Sequence, residues 1–182
     1  MTNVFIGGSR KISKLNSEIQ ERINSIIAKR FQILVGDANG VDKAVQTYLH
    51  KKAYELVEVF CAGNTCRNNV GQWHLHEVNV SGKKDFDFYA AKDKVMADEA
   101  SYGFMIWDGE SVGTLMNVHR LVEKGKKVVV YVSPSRTFVD VKVKLDWEKL
   151  IGTCPDELRE RIQNASSSEA FSKKSAAQIV LL

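Results

Sequence analysis

Short apolar runs alternate with amphipathic stretches along the first 132 residues of the chain. The runs predict five strands, VFIGG at 4–8, FQILVGD at 31–37, LVEVFCA at 56–62, YGFMIWD at 102–108 and KKVVVYV at 126–132. Between them, apolar residues recur at helical spacing in four segments, 14–30, 40–54, 89–101 and 111–124. Alternation of this kind is typical of right-handed βαβ units. The pattern therefore predicts an α/β protein, with a Rossmann-like three-layer fold around a mostly parallel sheet of five or more strands.

The remaining segments are less regular. Residues 63–88 predict a loop with room for one short helix. In residues 137–147, alternating apolar positions predict a further edge strand, and the sequence from Thr153 to Asp156 predicts the start of a helix that continues through residue 163. We expect one Rossmann-like domain over residues 1–135, with residues 136–182 as a C-terminal extension packed on the same domain.

Composition narrows the class of protein. With 182 residues, 44% hydrophobic and 26% charged, the chain suits one soluble domain with a sizeable core. The net charge of +4 is mild and spread along the sequence, so it permits an anionic ligand without calling for a nucleic-acid surface. The first apolar run has only three residues, and no segment approaches about 18 consecutive apolar residues. Neither a signal peptide nor a membrane span is expected.

The cysteines indicate a compartment rather than a chemistry. Three of them, an odd count without a paired framework, favour a reducing cytoplasm. Cys61-x4-Cys66 lacks the two tight pairs typical of zinc sites, even when His74 and His76 are considered with it. We therefore expect no metal and no cofactor.

Three glycine-containing loops follow predicted strands and precede predicted helices. They are GGSR at 7–10, GDANGVD at 36–42 and WDGESVGT at 107–114. In an open parallel sheet, ligands bind at the carboxyl ends of the strands, near the point where the strand order reverses. The three loops together therefore predict one shared ligand site.

The chemistry of these loops favours a nucleotide. Ser111 is placed to cap the following helix, whose first N–H groups would then point at an anion. Phosphate contacts are predicted for Gly8, Ser9 and Arg10 in the first loop and for Gly109, Ser111, Val112, Gly113 and Thr114 in the third. Gly36, Asp37 and Asp42 of the second loop are also expected to contact the ligand. Carboxylates would repel a phosphate beside them, so Asp37, Asp42 and Asp108 are better suited to ribose hydroxyls or base amino groups. Trp107, beside the third loop, is a candidate to stack on a base.

The motifs themselves exclude two common nucleotide folds and resemble a third. Neither GxxxxGK[ST] nor GxGxxG is present, which argues against a P-loop NTPase and an ordinary NAD fold. The pieces VFIGGSR, LVGDANGVDKAVQ and KVMADEASYGFMIWDGESVGTLMNVHRLVEKGKKVVVY, within residues 4–132, resemble the SMF/DprA–LOG (SLOG) superfamily, and within it the small YspA-like branch. The resemblance implies a Rossmann-like domain that binds nucleotides or nucleotide-derived signals at these loops.

That superfamily also includes phosphoribohydrolases, which split a base from a ribose 5′-phosphate. By resemblance, their arginine falls on Lys92 and their glutamate on Asn117, and both positions are expected to contact the ligand. An asparagine supplies no carboxylate for the oxocarbenium-like centre of N-glycoside cleavage. If the chain is an enzyme, Asp108 and Glu110 are the nearest substitutes as catalytic residues.

These inferences lead to one main interpretation with two alternatives. The main interpretation is a protein that binds or senses a nucleotide-like small molecule. The first alternative is a nucleotide N-glycoside hydrolase or (deoxy)ribosyltransferase, and the second is DprA-like binding of single-stranded DNA. The second would need a basic, aromatic-rich groove, and none is visible, so nucleic acid is not expected as a partner. The resemblance implies a homodimer or a higher homo-oligomer.

Overall fold

The computed structural model describes residues 1–80, 82 and 86–179, except for the side chains of Phe86 and of residues 170–179. Seven strands and six helices lie in these residues. The strands are β1 (Asn3–Gly8), β2 (Gln32–Gly36), β3 (Val57–Ala62), β4 (His74–Val78), β5 (Tyr102–Trp107), β6 (Lys127–Val132) and β7 (Thr137–Val141). The helices are α1 (Ser17–Ala28), α2 (Val41–Lys51), α3 (Phe86–Glu99), α4 (Val112–Glu123), α5 (Lys144–Gly152) and α6 (Asp156–Ile179).

The seven strands form a single sheet in the order β4-β3-β2-β1-β5-β6-β7. All neighbouring pairs are parallel except β6 and β7, which are antiparallel. Strand order reverses at β1, which pairs with β2 on one side and with β5 on the other. The predicted Rossmann-like three-layer fold with a mostly parallel sheet is confirmed.

Two apolar cores cover the two faces of the sheet, because successive residues of a strand point to opposite faces. Val4 and Ile6 of β1 pack with the isoleucines of α1 and the apolar stripe of α2. Phe5, between them, packs on the other side with α3 and α4. The apolar residues of α5 and α6, among them Trp147 and Leu158, extend this second core.

The prediction from the sequence missed the strand β4, which lies inside the predicted loop at 63–88. Its five residues are all exposed or half-buried, since it is the edge strand beyond β3. An edge strand with polar side chains on both faces lacks the apolar run that reveals the inner strands. The part of the predicted loop at residues 81 and 83–85 lies outside the described residues.

The predicted edge strand at 137–147 is confirmed only for its first half. β7 ends at Val141, and α5 begins three residues later. The carboxylate of Asp146 accepts hydrogen bonds from the N–H groups of Lys142 and Val143, which turns the chain into the helix. Val143 and Leu145 continue the alternation in the sequence, yet each is 57% exposed.

The last helix starts at Asp156, as predicted, and runs on well beyond residue 163 to Ile179. Among the described residues, none of the helices combines the length and the apolar character needed to cross a membrane.

Candidate functional site

A cavity of about 640 Å³ opens at the carboxyl ends of the strands, where the order reverses between β1 and β5. This is the position at which open α/β sheets bind ligands. From the two flanking loops, the predicted residues in its wall are Gly8, Ser9 and Arg10, and Asp108, Glu110, Ser111, Val112, Gly113 and Thr114. From the helices, Asp42, Lys92 and Asn117 complete the predicted set in the wall. The loops and helices singled out from the sequence therefore meet around one space.

The first loop is fixed against β5 by its own backbone. Ser9 is buried, and its N–H donates to the carbonyl oxygen of Ile106 at 3.0 Å. A Cβ at Gly8 would clash with the same carbonyl oxygen, so the close passage of the two chains requires glycine. These contacts bring the Arg10 and Lys11 side chains to the wall of the cavity.

Asp108 ties the first loop to the third. Its Oδ2 accepts a hydrogen bond of 2.5 Å from the Ser9 hydroxyl, and its Oδ1 accepts from the N–H groups of Glu110 and Ser111 at 3.0 and 2.8 Å. Burial raises the pKa of Asp108, but these donors outweigh it and hold the pKa below its ordinary value. The carboxylate of Asp108, which was predicted to contact the ligand or to act in catalysis, is therefore charged and connects the first loop to the third.

The N-terminus of α4 faces the cavity. The Ser111 hydroxyl oxygen caps the helix by accepting from the Thr114 N–H at 3.3 Å, and the Thr114 hydroxyl donates to it at 3.0 Å. The N–H groups of Val112 and Gly113 meet no hydrogen-bond acceptor among the residues that the structure describes. The first turn carries no acidic residue. This helix end therefore offers two N–H donors and the positive end of its dipole to an anion.

The second loop contributes less than its sequence suggests. Asp37 follows β2, but its carboxylate accepts hydrogen bonds from Arg67, through the N–H, Nε and Nη2 groups at 3.0, 3.0 and 2.5 Å. Neither Asp37 nor Gly36 lies in the cavity wall. Gly36 matters indirectly, because a Cβ there would clash with the carboxylate of Asp42 and the amine of Lys92.

Two further predicted positions also lie outside the wall. Trp107 is buried in the core beneath α3 and α4, and Gly109 makes a turn with a φ of +88° beside Pro134. Glu110 does reach the wall, but it is exposed and forms an ion pair with Lys11 at 2.5 Å.

A chain of polar side chains crosses the inner wall of the cavity. The amine of Lys92 lies 2.7 Å from Asp93 Oδ1 and 3.9 Å from Asp42 Oδ2. Asp93 Oδ2 accepts a hydrogen bond of 3.1 Å from the Asn117 amide, and the Asn117 carbonyl oxygen accepts from the Arg120 guanidinium. Five side chains from three helices, α2, α3 and α4, are thus connected in one chain of contacts.

Burial and pairing act in opposite directions on this wall. Burial raises the pKa of Asp42 to about 6, even though Lys92 lowers it. Burial also acts on Asp93, but the nearby ammonium of Lys92 outweighs it and holds that pKa below its usual range. Lys92 is drawn to Asp93, which lies closer, so Asp42 is the less compensated of the two carboxylates.

Two guanidinium groups lie near an aromatic ring at the same cavity. The Arg67 guanidinium carbon is 4.4 Å and that of Arg10 is 5.5 Å from the centre of the Tyr89 ring. Tyr89 and Arg10 both line the cavity. A ring held in this way can stack on a planar ligand, and the cations beside it attract negative charge.

Several residues of the wall were not predicted. Asp93 and Arg120 lie within the helices α3 and α4, and Arg161 comes from α6. A charged residue in a helix normally faces solvent, so the sequence gives no sign that these helices turn Asp93 and Arg120 inward. The adjacent opposite charges of Lys92 and Asp93, on the helix before β5, are the one sequence feature that draws attention to this part of the wall.

The fold and site define a Rossmann-like α/β protein with a polar cavity at its switch point. No family model matches the sequence, and no curated protein matches it. Among solved structures, the chain is similar to DNA processing protein A (DprA) from Helicobacter pylori, which was described for its single-stranded DNA binding mode. The match has a TM-score of 0.54 and 12% identity, and it covers 92% of this chain and 81% of the other.

At this identity the likeness establishes the fold. It agrees with the fold that the resemblance to the SMF/DprA–LOG superfamily implied, while the superfamily itself, its YspA-like branch and the phosphoribohydrolases stay predictions. The expectation that nucleic acid is not a partner was wrong as an exclusion, because a protein of the same fold is described as binding single-stranded DNA. That expectation rested on the net charge of the whole chain and on the lack of a visible basic, aromatic-rich groove in the sequence, and neither reports the charge and the rings at one pocket.

Proposed function

We propose that this protein binds the phosphate-bearing part of a nucleotide in the cavity between β1 and β5. The observation that carries the proposal is the N-terminus of α4, which opens into the cavity with two N–H donors and with no acidic residue in its first turn. Arg10 and Lys11 supply positive charge from the facing loop. Anions bind at such helix ends because the N–H groups and the helix dipole act together.

The rest of the wall suits the remainder of a nucleotide. Asp42 and Asn117 present a carboxylate and an amide that can bond ribose hydroxyls or base amino groups. The Tyr89 ring offers a surface for a base. A volume of about 640 Å³ is in the usual range for a small-molecule site, roughly 300–1,000 Å³.

Binding of single-stranded DNA is the second candidate, and the fold shared with the DNA processing protein A favours it. The same contacts would then hold one phosphate and one base of a strand. The neighbouring basic residues Lys11 and Arg161, both exposed at the cavity, would hold adjacent phosphates.

One titration separates the two candidates. Nucleoside monophosphates and 5′-phosphorylated oligodeoxythymidylates of increasing length are titrated into the protein by calorimetry. A free nucleotide site gives an affinity that reaches its maximum at one nucleotide. A DNA site gives an affinity that grows with length and falls with salt as further phosphates are neutralised. Absence of binding by every compound would refute both candidates.

A charge-reversing variant tests whether the helix end is the phosphate site. Gly113→Asp places a carboxylate in the first turn of α4, where a negative charge favours the helix but repels a phosphate. We expect at least about tenfold weaker binding, which corresponds to about 1.4 kcal/mol. The matched control is Ser17→Asp in the first turn of α1, an exposed position away from the cavity. Equal binding by both variants would place the phosphate elsewhere.

N-glycoside cleavage can be read from the same samples. The observation that favours it is the half-buried carboxylate of Asp93, hydrogen-bonded to Asn117 in the cavity wall. Such a group could stabilise an oxocarbenium-like centre. Chromatography after incubation with nucleoside monophosphates would reveal a free base. If one appears, Asp93→Asn is compared with Asp108→Asn and Glu110→Gln, and the variant that alone abolishes turnover without losing binding identifies the carboxylate.

A further inference from the structure

Two histidines and two glutamates meet on the opposite side of the molecule from the cavity. Glu58 is the second residue of β3, His74 and His76 lie on the paired edge strand β4, and Glu99 ends α3. These positions are near the amino ends of the strands, whereas the cavity lies at their carboxyl ends. The cluster therefore has no part in the site described above.

The potential ligand atoms of the cluster lie close together. His76 Nδ1 is 3.2 Å from Glu58 Oε1 and 3.9 Å from Glu99 Oε1, and His74 Nδ1 is 3.4 Å from the same Glu58 oxygen. One ligand atom from each of Glu58, His76 and Glu99 lies within 4.8 Å of the other two. Around a tetrahedral zinc ion with bonds of about 2.0–2.1 Å, neighbouring ligand atoms are roughly 3.3–3.4 Å apart. The distances from Glu58 Oε1 to His76 and to His74 already match, and the distance from His76 to Glu99 requires a movement of about 0.5 Å. The ligand oxygens of Glu58 and Glu99 lie within 4.8 Å of each other.

The two most buried members of the cluster are held in place by groups that do not belong to it. Gln32 donates a hydrogen bond of 3.1 Å to Glu58 Oε2, which leaves Oε1 turned towards the histidines. The ring of His76 stacks on Phe60, with ring centres 4.4 Å apart and an angle of 18° between the planes. Outer contacts of this kind orient metal ligands and tune their affinity.

We propose that Glu58, His76 and Glu99 form a binding site for a divalent transition metal ion, with zinc as the best match, and that the exposed His74, which lies outside this close group, turns in as the fourth ligand. Imidazole nitrogens and carboxylate oxygens are ligands that zinc accepts in tetrahedral sites. On binding, His76 Nδ1 gives up the proton that bonds Glu58, and Nδ1 and the Glu58 oxygen each bond the metal. That proton leaves to solvent from a doubly protonated ring or is replaced by one on Nε2 in a neutral ring, so the bound imidazole carries its single proton on Nε2. The ion would tie the edge strand β4 to β3 and to the end of α3. This departs from the sequence-based expectation that the chain binds no metal.

One other group in the described part of the chain has the composition of a metal site, formed by Asp37, Cys61 and Cys66. Its carboxylate already accepts three hydrogen bonds from Arg67, and a metal would have to displace the guanidinium. Burial, the largest cause, raises the pKa of the Cys61 thiol, which opposes the thiolate that zinc requires. The histidine–glutamate cluster is therefore the better site.

Zinc binding is measured by calorimetry on the full chain after treatment with a chelator. We expect one zinc ion per chain and a melting temperature that rises with zinc concentration. His76→Ala and Glu99→Gln are each expected to weaken binding at least about tenfold. His74→Ala should weaken it less, because the side chain of His74 is the most exposed of the four and, among the described members of the cluster, is paired with Glu58 only. His50→Ala, an exposed histidine on α2, is the matched control and should leave binding unchanged.

Three results would overturn the proposal. The first is no heat and no melting shift at millimolar zinc. The second is unchanged zinc affinity in both His76→Ala and Glu99→Gln, with circular dichroism confirming that the variants are folded. The third is loss of zinc binding in Cys61→Ser but not in His76→Ala, which would assign the metal to the cysteines. Cobalt gives an independent check, because only thiolate ligands add an intense charge-transfer band in the near ultraviolet. Nucleotide binding is a separate property, so either proposal can fail alone.

Discussion

Replacement of Asp42 by asparagine should change how stability depends on pH. The wild-type carboxyl has its pKa raised from 3.8 to about 6, chiefly by burial. The folded state therefore favours the protonated form. The contribution of the protonated Asp42 to stability is fully present below the pKa of this carboxyl in the unfolded chain, and it is lost as the pH rises through its pKa in the folded protein. Asparagine keeps an oxygen for the hydrogen bond from the Ala38 N–H and has no charge to bury.

The magnitude follows from the two pKa values. At about 1.4 kcal/mol per pKa unit, the whole window from 3.8 to about 6 corresponds to about 3 kcal/mol. Between about pH 4.5 and about pH 7.5, the free energy of unfolding of the wild type should fall by about 2 kcal/mol relative to that of Asp42→Asn. Urea unfolding followed by tryptophan fluorescence measures this, since Trp73, Trp107 and Trp147 are all buried.

The control is Asp87→Asn, an exposed aspartate on α3. Its stability should follow that of the wild type at every pH. If the difference in the free energy of unfolding between wild type and Asp42→Asn stays constant over this pH range, the pKa of the carboxyl is not raised in the folded protein. The ion pair with Lys92 would then offset the effect of burial, contrary to the reasoning given for the inner wall.

Two further predictions concern the loops. Gly8→Ala should lower the free energy of unfolding by about 2–3 kcal/mol or more, because its Cβ would overlap the Ile106 carbonyl oxygen. The control Gly152→Ala, with open space around its Cβ, should be neutral or slightly stabilising. Equal urea midpoints for the two variants would contradict this prediction. Ser111→Ala should cost about 1 kcal/mol through loss of the cap on the Thr114 N–H, and Ser111→Asn, which restores an acceptor, should recover most of it in the same assay.

The position of the site was predictable because it depends on connectivity. Parallel strands place their carboxyl ends at one edge of a sheet, so loops after β1 and β5 had to meet once these strands proved to be neighbours. The pattern of apolar runs indicates the strands and the loops that follow them, and the strand order comes from the structure. The cap at Ser111 was also a local feature, readable from the residues around it.

The direction of individual side chains was not predictable in the same way. Asp37 follows β2 as expected, but its carboxylate turns to Arg67, which is thirty residues later in the chain. Asp93 faces Asn117 only because α3 and α4 pack side by side on the sheet. Such contacts depend on the packing of whole helices, which no local pattern of residues encodes.

The long final helix, α6, forms part of the cavity wall. Arg120 is held by Asn117 on one side and by Glu169 of α6 on the other, and Arg161 of α6 stands in the cavity wall itself. A chain shortened to residues 1–135 would leave the guanidinium of Arg120 buried without its carboxylate, and it would lose one side of the opening. Changes confined to α6 would therefore reshape one side of the cavity opening and the charge beside it, while the glycine loops stay the same.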